Sequence, residues 1–299
     1  MRAGGAMFER LFSERVGVLV QGITGRQGRQ HSALMRAYGT HIVGGVSSSS
    51  TEASVDGVPV FADCRHAVAA TGAEASVIMV PAYAVLAAII EAIEAGIKLV
   101  VSVTEGMPVH DALIAARMAR RHGVYWIGPS TPGLAIPGRI KLGFLPDVAL
   151  APGPVGLMTK SGTLSYEIGY RLVQRGVGQT LWAGVGGDSV KGVRFADLVP
   201  FYRDHEATRC LVVIGEIGGT EEEELAEALR AHPFEKPVCV LLAGASAPEG
   251  VTMGHAGAII QGARGSVASK TAALEAAGAK VFSTMEHLVE HVVRTKGRA

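Results

Sequence analysis

One histidine stands between glycines in the run Met253-Gly254-His255-Ala256-Gly257-Ala258-Ile259-Ile260. The glycines leave its imidazole uncrowded, so a group as large as a phosphoryl could reach it and leave again. Imidazole is neutral and nucleophilic near pH 7, which suits a transient covalent carrier. The alternative is a turn histidine with no chemical role. Three other places hold residues capable of chemistry. Gly22-Ile23-Thr24-Gly25-Arg26-Gln27-Gly28 follows an apolar run and opens a helix-compatible one, so free amides at the helix start could hold an anion. Lys160-Ser161-Gly162-Thr163-Leu164 is a second strand-to-helix turn, with two hydroxyls; an ordinary N-cap is the alternative. Gly215-Glu216-Ile217-Gly218-Gly219 sets a lone acid among glycines. Glu216 could orient a histidine through one ring nitrogen, or cap the helix that begins near Glu221.

The glycine spacing narrows the ligand. A dinucleotide fingerprint reads G-x-G-x-x-G, whereas this turn is G-x-x-G-x-x-G, and Ser47-Ser48-Ser49-Ser50 occupies the place of a ribose-binding acid. A phosphate-bearing ligand other than NAD fits better. No G-x-x-x-x-G-K-[ST] occurs, so the chain has no P-loop for ATP.

These turns need strands and helices to hold them. Short apolar runs at Val16–Val20, His41–Val46, Ala75–Val80, Leu99–Val103 and Val124–Ile127 alternate with helix-compatible segments at Gln27–Tyr38, Val85–Ala95 and His110–His122. Buried strands alternating with helices predict a parallel sheet covered on both faces. The pattern then restarts with strands at Val155–Thr159, Thr180–Val185, Cys210–Ile214, Val238–Leu242 and Lys280–Phe282. Helices are predicted at Thr163–Arg175, Phe195–Arg203, Glu221–Ala231, Ser269–Ala277 and Met285–Arg294, the third with a charged outer face. The Pro- and Gly-rich passage Pro129–Pro154 reads as a hinge, which predicts domains at 1–128 and 129–299.

At 299 residues, with 48% hydrophobic and 18% charged residues, the chain can bury two ordinary cores. A formal net charge of +1 gives no electrostatic case for nucleic acid or an anionic membrane. Cys64, Cys210 and Cys239 lack metal-type spacing and read as reduced buried thiols. The first ten residues lack the apolar core of a signal peptide, and no apolar run is long enough to span a bilayer. The expectation is a soluble cytoplasmic protein.

Taken in order, these blocks resemble the alpha subunit of succinyl-CoA synthetase (succinate–CoA ligase, NDP-forming), a family that includes malate-CoA ligase and other acid–CoA ligases. Further matching blocks are Tyr38-Gly39-Thr40, Gly44-Gly45-Val46, Ala95-Gly96-Ile97-Lys98-Leu99, Thr104-Glu105-Gly106, Ser165-Tyr166-Glu167 and Gly184-Val185-Gly186-Gly187-Asp188. The resemblance covers nearly the whole chain from Val16. It implies a Rossmann-like CoA-binding domain followed by a flavodoxin-like α/β ligase domain. It implies coenzyme A at Thr24, Gly25, Arg26 and Gln27, with Val103, Thr104 and Glu105 further along the sheet edge. It makes His255 the phosphohistidine, oriented by Glu216. Ser161, Gly162 and Thr163 become a phosphate cradle, and Tyr166 lies near a small carboxylic acid substrate.

In this family a nucleoside triphosphate phosphorylates the histidine, the phosphoryl moves to a carboxylate, and CoA displaces phosphate. The implied partner is an ATP-grasp beta subunit that carries ATP or GTP with Mg2+, in a heterodimer or heterotetramer. No metal ligands are expected on this chain. Two departures stand out. The family's Thr-Pro-Gly-Lys is replaced at Ser47–Ser50, which removes a lysine from the CoA site, with Arg26 or Arg29 available to compensate. Its Pro-Asn-Cys-Pro-Gly is Pro129-Ser130-Thr131-Pro132-Gly133 here. These changes leave room for an acid other than succinate. They also motivate a rival reading, a CoA- or acyl-CoA-binding regulatory protein without ligase activity. An NAD-linked dehydrogenase suits the fold class but not the glycine spacing.

Overall fold

Apolar runs become central strands here because both faces of each are covered. Val18, Leu19, Val20, Val77, Val100 and Val101 are fully buried, each worth about 1.5–3 kcal/mol in transfer free energy. The computed structural model describes residues 3–49, 51–244 and 265–295. The chain divides into two units, Met1–Leu145 with Val190–Gly192, and Pro146–Ser189 with Val193–Ala299.

The first unit runs α1 (Ala3–Ser13), β1 (Val18–Gln21), α2 (Arg26–Tyr38), β2 (Ile42–Val46), β3 (Ser54–Val55), β4 (Val58–Phe61), α3 (Cys64–Thr71) and β5 (Ala75–Ile78). It continues through α4 (Val85–Glu94), β6 (Leu99–Ser102), α5 (Val109–His122), β7 (Tyr125–Ile127), β8 (Gly133–Ile136) and β9 (Ile140–Gly143). Its main sheet has the order β3-β4-β2-β1-β5-β6-β7. Only the β3–β4 pairing is antiparallel. The six parallel strands therefore lie 3-2-1-4-5-6, the doubly wound Rossmann order, and the strand order reverses between β1 and β5. Gln21, at the end of β1, is buried and satisfied: its amide donates to the Ala88 carbonyl at 2.9 Å and accepts from Ser76 Oγ at 2.8 Å.

The second unit runs β10 (Pro152–Thr159), α6 (Gly162–Gln174), β11 (Gln179–Gly184), α7 (Phe195–Asp204), β12 (Cys210–Glu216), α8 (Glu221–Ala231), β13 (Val238–Ala243), α9 (Val267–Ala276), β14 (Lys280–Phe282) and α10 (Met285–Thr295). Its strands lie β14-β13-β12-β10-β11, and all four pairings between these neighbours are parallel. That is the flavodoxin-like 2-1-3-4-5 order, reversing between β10 and β12.

Three features differ from the sequence expectations. The passage from Pro129 to Pro154 contains the antiparallel hairpin β8–β9, tied to the first unit where Thr40 Oγ1 donates to the Lys141 carbonyl at 2.7 Å. A second hairpin, β3–β4, turns through Asp56 (φ 48°) and Gly57 (φ 79°); Asp-Gly is the turn signal that could have revealed it. Finally, the acidic start of α8 is no solvated face, since Glu221, Glu222 and Glu223 are all buried. Among the described residues no helix is long and apolar enough to cross a membrane, and no cluster could hold a metal ion. The three cysteines are free and buried.

Candidate functional site

In doubly wound sheets ligands bind outside the carboxyl ends of the strands, where the order reverses. In the first unit that place is the turn after β1, and glycines shape it. Gly22 has φ +84°, and a Cβ there would lie 2.7 Å from the Met79 carbonyl oxygen. A Cβ on Gly28 would lie 2.1 Å from the Gly22 carbonyl oxygen, and one on Gly45 would meet Ile23 at 2.2 Å. Helix α2 therefore starts tight against β1. Its N-cap is Gly25, with no side chain capping the first turn, which leaves orphan amides and a positive helix end for an anionic ligand.

Gly25, Arg26 and Gln27 are exposed at that helix start, and Thr24 is partly buried, with its hydroxyl donating to Ser47 Oγ at 3.0 Å. Val103, Thr104 and Glu105 follow β6, which is separated from β1 by β5 alone. The two loops meet over the β5 end: Gly22 faces Met79, and Thr104 Oγ1 donates to the Val80 carbonyl at 2.7 Å. All seven residues expected around CoA thus lie on one sheet edge. Of the two arginines, Arg29 is committed, donating to the Thr24 carbonyl at 3.0 Å and pairing with Glu52. Arg26 stands exposed at the loop.

In the second unit the order reverses between β10, which ends at Thr159 two residues before Ser161, and β12, which ends at Glu216. The Lys160 amide bonds to the Ile214 carbonyl at 3.1 Å. Ser161 is the N-cap of α6, accepting from the Leu164 amide at 3.3 Å, and its own amide donates to Thr159 Oγ1 at 2.9 Å. Gly162 and Thr163 form the first turn of α6, with Thr163 exposed. Tyr166 follows one turn on, partly buried, its ring centroid 6.4 Å from that of Trp182. Burial raises its phenol pKa, so the hydroxyl stays protonated and able to donate at neutral pH.

Glu216 is buried at the end of β12. His255 lies outside the described residues, but both described ends adjoining its segment sit against the turn after Glu216. A Cβ on Gly244 would lie 2.6 Å from Ile217 Cγ2, the Ile217 amide donates to the Ala243 carbonyl at 2.9 Å, and the Gly218 amide donates to the Gly265 carbonyl at 2.8 Å. Glu216 does not cap α8, whose N-cap is Thr220.

A buried charge cluster beneath these turns was not evident in the sequence. Glu222 Oε1 accepts from the Glu216 amide at 3.1 Å and from Lys160 Nζ at 2.9 Å, while Oε2 pairs with Lys270. Lys270 Nζ also donates to the carbonyls of Glu216 and Gly218, each at 2.6 Å. Glu223 Oε1 accepts from the Gly265 amide at 2.9 Å and from Ser269 Oγ at 3.0 Å. Burial opposes the Lys160 charge, but Glu222, Glu221 and Glu216 outweigh it and raise that ammonium pKa. At Lys270 burial prevails over the pull of Glu222, and the pKa is lowered.

Comparison with known proteins matches the two halves separately. A CoA-binding domain family matches residues 13–106, and a CoA-ligase family matches residues 158–280. Subunit alpha 1 of the ADP-forming succinate–CoA ligase of Archaeoglobus fulgidus is 43% identical, over 95% of this chain and 97% of its own length. The corresponding alpha subunit of Aquifex aeolicus is 42% identical, over 93% and 91%. Subunit SauD of the ADP-forming sulfoacetate-CoA ligase of Bilophila wadsworthia is 42% identical, over 88% and 91%. Among solved structures, ATP citrate lyase from Methanothrix soehngenii superposes with a TM-score of 0.83 at 22% identity, covering 95% of this chain and 50% of that one. That likeness speaks for the fold.

Proposed function

The chain belongs to the family of ADP-forming succinate–CoA ligase alpha subunits, and we propose that it forms one half of an acid–CoA ligase whose phosphoryl carrier is His255. An ATP-grasp beta subunit supplies the other half, in a heterodimer or heterotetramer, with ATP or GTP and Mg2+ bound there. The substrate is succinate or a related small acid such as malate or sulfoacetate. The cytoplasm, where thiols stay reduced, suits the three free cysteines.

Three transfers make up the reaction. A ring nitrogen of His255 attacks the terminal phosphorus of the nucleotide, and the nucleoside diphosphate leaves. A carboxylate oxygen of the acid then takes the phosphoryl group, freeing the imidazole and giving an acyl phosphate. The CoA thiolate attacks the acyl carbon, and phosphate leaves. Glu216 accepts a hydrogen bond from the other ring nitrogen of His255, fixing the tautomer and stabilising positive charge on the ring. The first-turn amides of α6 and the Thr163 hydroxyl stabilise phosphoryl charge, with the positive helix end behind them. The protonated Tyr166 orients the acid. CoA lies along Thr24–Gln27 and Val103–Glu105, its phosphates toward the uncapped start of α2 and Arg26.

One observation carries this reading: the Ser161 cap that follows β10 and Glu216 at the end of β12 stand on neighbouring strands where the strand order reverses, and the described residues flanking the His255 segment, Gly244 and Gly265, adjoin the turn beside Glu216. The test incubates the chain and its beta partner with γ-labelled ATP. Wild type is expected to take up label and His255→Ala to take up none. Equal incorporation in both would overturn the proposal. A screen of succinate, malate and sulfoacetate for acyl-CoA formation then identifies the acid.

A further inference from the structure

Glu222 and Lys270 have no assigned part in the chemistry, yet both side chains are 0% exposed and both are directed at the backbone of one turn. Glu222 accepts the Glu216 amide proton through the same oxygen that pairs with Lys160. Lys270 takes the Glu216 and Gly218 carbonyls with two of its donors and Glu222 with the third. The amide and carbonyl of Glu216 are therefore both held by buried charged groups. Gly215 makes this possible, because a Cβ there would lie 2.6 Å from Glu222 Oε1 and 2.8 Å from its Cγ.

A scaffold role alone explains this arrangement poorly. A buried ion pair contributes little net stability compared with apolar residues of the same volume, because desolvating both charges offsets most of their attraction. What such a cluster does well is fix geometry, since each polar group must keep its partners or lose them at high cost. The same cluster reaches Lys160, whose chain neighbour Ser161 starts α6. One carboxylate therefore spans the two strand ends that carry Glu216 and the Ser161–Thr163 turn.

We infer that Glu222 and Lys270 are positioning residues for the ligase reaction: they lock the Glu216 backbone so that its carboxylate holds one orientation, in register with the α6 N-terminus. This rests on the function proposed above, with Glu216 as the group that orients the histidine. Their depolarised variants should slow phosphoryl transfer while leaving CoA recognition, a property of the first unit, unchanged. A misplacement of about 1 Å at a reacting group can cost on the order of a hundredfold in rate.

The experiment uses the full chain with its beta partner. Glu222→Gln and Lys270→Met are each close in volume to the native residue, and each variant is scored on its folded fraction by thermal melt and active-site titration. The expected result is a kcat at least tenfold lower, a KM for CoA within twofold of wild type, and a displaced pH profile for histidine phosphorylation. A cycle with Glu216→Gln supplies a second criterion. If Lys270 acts through Glu216, the double variant Glu216→Gln/Lys270→Met is no slower than Glu216→Gln alone. A folded Glu222→Gln or Lys270→Met with wild-type kcat and pH profile overturns the inference, as does full additivity in the cycle. A wild-type pair without acid-dependent ADP release overturns the proposed function itself and this inference with it, so the two failures are told apart by the wild-type assay.

Discussion

Lys160 Nζ lies 2.9 Å from Glu222 Oε1, and both side chains are buried. The turn after β10 and the helix after β12 thus share one buried charge pair. Removing Lys160 leaves Glu222 with Lys270 alone as its cation and strips Glu221 of its 3.6 Å partner, so the buried site gains an excess negative charge. Because Lys270 remains on Glu222, Lys160→Met should lower stability by about 3 kcal/mol, the low end for a broken buried pair. The measurement is the urea midpoint of the purified chain, and a loss below about 1 kcal/mol would mean that the pair is solvated or replaced.

The resemblance expects a lysine where Ser47–Ser50 stand, which makes the two arginines of the first turn its candidate replacements, and their surroundings separate them. Arg29 is engaged by Glu52 and by the Thr24 carbonyl, whereas Arg26 is exposed beside the uncapped start of α2. Arg26→Ala is expected to weaken CoA binding about tenfold, in line with about 1.5 kcal/mol for a charge-assisted contact. Ser47→Lys should strengthen it. Calorimetric titration with CoA checks both. An Arg26→Ala affinity equal to wild type would remove Arg26 from the CoA site.

How far the sequence could foretell this molecule depends on whether the relevant contact is local. The strands at Val16–Val20 and Cys210–Ile214 are legible because a short apolar run that opens into a glycine turn has few other ways to be buried. The helices expected at Gln27–Tyr38 and Thr163–Arg175 are legible because each follows such a run and a glycine-containing turn, and each is found within one residue of those bounds. Both loops that matter chemically could be found in the same way. The charge cluster could not, since Glu222, Lys160 and Lys270 are far apart in sequence and meet only after β10, β12 and α9 are assembled. Four consecutive glutamates at Glu221–Glu224 resemble a solvated helix start, and that reading is reversed by two buried lysines, Lys160 after β10 and Lys270 on α9. Ser266–Ala276 has small residues around Lys270, which looks like a surface lysine until its donors are traced to Glu216 and Gly218.

Ser130 adopts φ +54°, a left-handed conformation that is unusual for a residue other than glycine, asparagine or aspartate. Its amide donates to the Thr104 carbonyl at 3.1 Å, so the strained residue abuts the loop expected to hold CoA. The motif that Pro129-Ser130-Thr131-Pro132-Gly133 resembles carries asparagine at the second position, a residue that enters this region more readily. Ser130→Asn should therefore stabilise the chain by about 0.5 kcal/mol, and Ser130→Val should destabilise it by about 1–3 kcal/mol. Denaturant titration of the two variants gives the answer. If both match wild type, the position stores no strain.

His31 links stability to pH in the first unit. It lies on α2, partly buried, with its ring centroid 4.2 Å from that of Phe144. Burial, and secondarily the nearby positive charge of Lys141, lower its pKa below 6.5. The unfolded chain therefore takes up the proton first as pH falls. Stability is unaffected well above pH 6.5, declines as pH drops from about 6.5 toward the folded-state pKa, and levels off below it. His31→Gln keeps a polar side chain of similar reach and removes the titration. Wild type should lose more stability than His31→Gln between pH 7.5 and pH 5, measured as the shift in urea midpoint, and the His31 ring protons should titrate below pH 6.5 in NMR spectra. Equal losses in the two proteins would show that His31 titrates as it does in the unfolded chain, and that the acid sensitivity of the first unit arises elsewhere.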